Sequence, residues 1–106
     1  MRVLVRRAGT GATAALVEAD DFTAFSVEVD DGVDLRRAGE LLAGQVRFAS
    51  AQQAWVDRDW LVRTGGFASG PAAEAFAAMV AYAARKGWVD PGTHEIAAHV
   101  THGKRT

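Results

Sequence analysis

The chain has 106 residues, is 49% hydrophobic, carries a formal net charge of −1 and has no cysteine. Those values suit one small globular domain spanning 1–106, and they exclude disulfides, thiolate catalysis and cysteine-ligated zinc or iron–sulfur centres. A near-neutral balance gives no general attraction for nucleic acid or an acidic membrane, so neither is expected as a partner.

The opening stretch "MRVLVRR" puts Met1, Val3 and Val5 on one side and Arg2 and Arg6 on the other, with Leu4 breaking the pattern. This is strand alternation. The stretch is basic, but no apolar run of useful length follows, so it does not read as a secretory signal and a cytoplasmic location is the default. Gly9 and Gly11 then interrupt the strand, since glycine adopts positive φ without steric penalty. Gly9, Gly11 and Ala14 match the outline of a dinucleotide-binding fingerprint, with Glu28 and Asp30 near the place of a ribose-holding acid. Arg6 and Arg7 oppose it, because a buried parallel strand should be apolar there. A hairpin loop is the preferred reading.

"TAALVEA" fits helix by its alanines and strand by its length, so residues 12–19 stay open. "FTAFSVEVDDG" reads as a strand, with Phe25, Val27 and Val29 alternating against Ser26, Glu28 and Asp30 and an Asp-Asp-Gly turn at its end. Between Arg7 and Arg36 the chain carries seven acids and no base: Glu18, Asp20, Asp21, Glu28, Asp30, Asp31 and Asp34. They read as a solvated face with turn residues, or as an acidic docking surface.

Asp34 is a suitable N-cap for a helix whose stripe is Leu35, Ala38, Leu42 and Val46. The helix is expected to stop near Phe48, with "FASAQQAWV" turning extended, although 49–54 are open between helix and strand. Asp57 can cap a short helix that Gly65-Gly66 ends. If "WVDRDW" were extended instead, Asp57 and Asp59 would share a face, as paired carboxylates for acid–base work do. The next helix begins at Ser69 or Gly70, has Pro71 in its first turn, and shows Phe76, Met79, Val80 and Ala83 as its apolar face. Gly87 suits the position after its C-terminus, and Trp88 can fold back on the last turn in a Schellman motif. Its apolar run over 75–84 is half of a membrane span. After a "VDPGT" turn, "HEIAAHVT" reads as a final strand with Ile96, Ala98 and Val100 on one face, and 102–106 as a polar tail that frays. The pattern predicts an α+β fold: a mainly antiparallel sheet with helices packed on one face.

All the histidines lie in "HEIAAHVTH". On a strand His94 and His102 share a face but stand roughly 26 Å apart, at about 3.3 Å per residue. Zinc–nitrogen bonds are about 2 Å, so no metal site is expected, nor any cofactor. His99 faces the other way and remains a candidate proton-transfer group. Trp55, Trp60 and Trp88 crowd the second half and suit a core, a subunit interface or a ligand pocket.

The favoured expectation is a non-catalytic accessory or interaction domain that self-associates, because a second copy adds apolar burial that a small core lacks. Its occupant could also be a protein partner or a small apolar ligand. The alternative is a small cofactor-free enzyme of isomerase or cyclase type, acting on an apolar metabolite in a Trp-lined cavity with His99 or Asp57 moving the proton. The two separate on whether a closed apolar cavity holds a titratable group.

Overall fold

Strand β1 (Arg2–Ala8) and strand β2 (Gly11–Val17) form an antiparallel hairpin in the computed structural model, which describes residues 1–9 and 11–103. Ala8 pairs directly with Gly11, and Gly9 turns the chain at φ 58°. "TAALVEA" is therefore strand: alanine's helical preference is a few tenths of a kcal/mol per residue, about what one ladder contact outweighs. The hairpin also removes the dinucleotide reading, which needs a helix after the glycines.

Strand β3 (Ser26–Val29) is shorter than expected, because residues 22–25 stay outside the ladder. β3 lies parallel to β1, having passed over it, and strand β6 (Ile96–His102) lies parallel to β3. Strand β5 (Gln53–Val56) runs antiparallel to β6, and strand β4 (Val46–Phe48) antiparallel to β5. The sheet order is β2-β1-β3-β6-β5-β4. The α+β class stands, but the sheet is mixed rather than mainly antiparallel: two of its five pairings, β1 with β3 and β3 with β6, are parallel and the other three antiparallel. Alternation reports which face of a strand is buried; it carries no information on the direction of its neighbour.

Inside the curl of the sheet Met1, Val3, Val5, Val27, Val29, Val56, Ile96, Ala98 and Val100 are all buried. Each such valine or isoleucine contributes about 1.5–3 kcal/mol. Helix α1 (Leu35–Leu41) packs against both β2 and β4, the two outermost strands, and so bridges the open side of the curl. The closeness is visible at Gly11, where an added Cβ would stand 3.3 Å from Leu41 Cδ1. α1 starts as expected, with the Asp34 carboxylate accepting from the Arg36 and Arg37 amides at 3.0 and 3.4 Å. It ends sooner: Leu42 caps it, Gly44 reverses the chain at φ 88°, and Val46 enters β4 instead of extending the helical stripe.

Helix α2 (Arg58–Gly65) buries Trp60 and Leu61 and stops at Gly66 in the left-handed region, φ 74°. Helix α3 (Gly70–Arg85) buries Phe76 and Ala83, with Met79 and Val80 half-buried beside them. Its C-terminus is a Schellman motif: the Trp88 amide donates to Ala83 O at 2.8 Å and the Gly87 amide to Ala84 O at 3.1 Å, with Gly87 at φ 79°. Among the described residues no helix is long and apolar enough to cross a membrane. His102 belongs to β6 and the Gly103 amide donates to Val29 O at 2.7 Å. Residues 104–106 of the expected frayed tail lie outside the described residues.

Candidate functional site

β6 is longer than β3, and the difference opens a notch in the sheet. β3 pairs with β6 only from His99 to His102. Ile96 pairs with Val56 of β5 on one side and with Val89 on the other, and the Ala97 amide donates to Trp88 O at 2.7 Å. Between that short bridge and the first residue of β3 lies an open groove of about 480 Å³. Phe22 and Phe25 form one wall; Met79, Tyr82 and Ala83 of α3, with Trp88, form the other. Ile96–His99 make the floor, and Thr23, Gln52 and Gln53 add polar groups.

Each wall is held by its own local bonds. The Met1 amino group donates to the carbonyls of Asp21 at 2.8 Å and Ala24 at 3.0 Å. The Asp21 carboxylate accepts from Thr23 Oγ1 at 2.6 Å and from its amide at 3.0 Å. Those bonds favour the charged form and hold Asp21 below the usual carboxylate range. Phe22 is steadied from behind by Phe67, ring centroids 5.4 Å apart, and Phe67 stacks on Phe76 at 4.7 Å. On the other wall the Schellman motif sets Trp88 edge-on to Tyr82, centroids 6.1 Å apart. Beyond it Asp90 accepts from the Gly92 and Thr93 amides at 2.8 and 3.3 Å; these bonds pull its carboxyl down and fix the turn that returns the chain to β6. Trp88 remains 47% exposed and Tyr82 49%.

Of the residues singled out by sequence, the structure brings His99 and Trp88 together in the groove. The others lie elsewhere. Trp60 is core. Trp55 is half-buried on β5, with the Arg47 guanidinium 5.8 Å from its ring, and Arg47 is ion-paired to Glu95 at 2.8 Å. Asp57 is the N-cap of α2, its carboxylate accepting from the Trp60 amide at 2.8 Å, and Asp59 sits in the first turn. The acidic stretch is largely engaged within the chain: Arg2 pairs with Glu18 at 2.6 Å and Glu28 at 3.3 Å, Asp21 binds Thr23, and Asp34 caps α1.

The histidines have separate surroundings. His94 precedes β6 with φ 62° and has Nδ1 3.5 Å from an Arg58 nitrogen, while His102 Nε2 lies 2.9 Å from Ala51 O. Among the described residues no three His, Cys, Asp or Glu side chains are grouped so that they could hold a metal ion. Sequence reasoning missed Phe22, Phe25 and Tyr82 as groove residues. Tyr82 was recoverable, because Met79, Tyr82 and Ala83 repeat at i, i+3, i+4; the two phenylalanines were absorbed into the alternation of the following strand.

Fold and groove together define a small α+β domain with an open, aromatic-walled cleft at a break in its sheet. The chain matches no protein-family model, no curated protein and no solved structure.

Proposed function

We propose that this domain is a non-catalytic binding module and that the groove between α3 and β6 is its recognition site. The observation that carries this is the groove itself: about 480 Å³, within the range of about 300–1,000 Å³ usual for ligand sites, with two half-exposed aromatic rings at its mouth. Rings that stay half-exposed at the mouth of a groove are the mark of a surface that meets something else. Catalysis finds less support. His99 is exposed, and among the described residues lining the groove none is aspartate or glutamate, so the imidazole has no carboxylate there to orient it. Asp57 is engaged as a helix cap.

Nile red, a neutral apolar dye, tests the reading. It is expected to bind at one site, and Trp88→Ala to weaken it by about tenfold or more, as loss of a central aromatic anchor does. Trp55→Ala should leave the affinity unchanged. Equal binding by wild type and Trp88→Ala would remove the groove from the proposal. The cofactor-free enzyme remains the second reading because His99 does line the groove. Self-association is part of the proposal only if a second copy covers the same rim: light scattering would then give twice the monomer mass at micromolar concentration, and Trp88→Ala would return it to monomer.

A further inference from the structure

Resting on that binding reading, we infer that the groove takes an apolar organic anion, a carboxylate carried on an aromatic or hydrocarbon body. The apolar part follows from Phe22, Phe25, Tyr82 and Trp88. The charge follows from what stands against the Tyr82 ring. Arg85 has its guanidinium carbon 5.8 Å from the centre of the Tyr82 ring, and Lys86 its ammonium nitrogen 5.6 Å from the same point. Both residues are exposed.

On the sheet, Arg2 holds Glu18 and Glu28, and Arg47 holds Glu95. Among the described residues neither Arg85 nor Lys86 forms an ion pair, and the groove lining offers no aspartate or glutamate. Asp21, next to Phe22 in the chain, directs its carboxylate at Thr23. Gln52, Gln53 and His99 add groups able to donate a hydrogen bond to a carboxylate.

Two terms oppose the inference. The charged Asp21 carboxylate is bound to Thr23 of the groove lining, although the positive Met1 amino group lies beside it. The C-terminus of α3 carries the negative end of the helix dipole, equivalent to roughly half a charge. Two full positive charges exceed it, and the Schellman bonds from Gly87 and Trp88 already occupy two of the terminal carbonyls. Beside the Tyr82 ring the two cations therefore leave net positive charge for a ligand whose body lies on that ring. A cationic ligand would be repelled, and a neutral one would leave the potential unused.

Calorimetric titration with naphthoate and naphthamide separates the charge from the body, since the two share one ring system and differ in ionisation. At low ionic strength the carboxylate is expected to bind about five- to tenfold more tightly, the scale set by two solvent-exposed cations. That advantage should shrink in high salt. The double variant R85Q/K86Q should abolish the advantage while keeping the affinity for the amide, which also shows that the variant is folded. Equal affinities, or a preference for the amide, overturn the anion inference and leave the binding module standing. An advantage that survives R85Q/K86Q overturns the assigned source of the charge. If neither compound nor Nile red binds, the binding reading itself fails and this inference goes with it.

Discussion

Val3, Val5, Val27 and Val56 inside the curled sheet expose none of their surface, while Tyr82 and Trp88 at the groove expose about half of theirs. The valines are enclosed by strands on either side and by the opposite wall of the curl, so each is held by packing. The groove aromatics come from a loop, a helix end and the residue after a helix stop; Phe22 and Phe25 are half-buried against the edge of the core, and Tyr82 and Trp88 meet edge-on at the surface. The difference separates two jobs. Damage to the enclosed set should unfold the domain, whereas damage to the groove set should change what it binds.

The largest expected effect lies where the two regions join. Phe76 is buried under α3 and stacks on Phe67, which in turn backs Phe22 of the groove wall. Phe76→Ala should cost about 3–5 kcal/mol, a large part of the roughly 5–15 kcal/mol of such a domain. Ala77→Ser, one residue on and exposed, should cost well under about 1 kcal/mol. Urea titrations of the two variants check the phase of the helix; similar midpoints would put the wrong face of α3 inside.

Asp57→Ala removes the N-cap of α2 and should cost about 0.5–2 kcal/mol with no change in Nile red affinity, because the cap lies outside the groove. A drop in dye binding equal to that of Trp88→Ala would show that α2 and the groove are not separate.

The smallest effect is on pH dependence. Asp21 and Asp90 both have depressed carboxyl pKa values, through bonds from Thr23 and from the Gly92 and Thr93 amides respectively. A depressed folded pKa means that the stabilisation is fully present above the unfolded value, about 3.9, and is lost as pH falls through the folded value. Stability should therefore decline in acid below about pH 4, and D90N should flatten part of that slope. An identical acid profile for D90N and wild type would mean that the turn contributes nothing to the pH response.

Much of this was legible from residues alone, and the reason is range. The caps at Asp34 and Asp57, the stop at Gly66 and the Schellman bonds at Gly87 and Trp88 all close within a few residues. Their chemistry is local, so the local sequence determines them. The buried faces of β1 and β6 followed from alternation for the same reason. Other features depended on partners far along the chain. β2 is a strand because Val3 meets Leu16 across the hairpin. The centre of the sheet is parallel because Ser26 meets His99, a pairing that no pattern within either segment encodes. The three tryptophans look alike in sequence, yet tertiary structure sends Trp60 to the core, Trp55 under Arg47 and Trp88 to the rim. The groove exists only because β3 starts later than β6, leaving Ile96–Ala98 without a β3 partner. Strand length is set by where the ladder can continue, and that is decided by the assembled sheet.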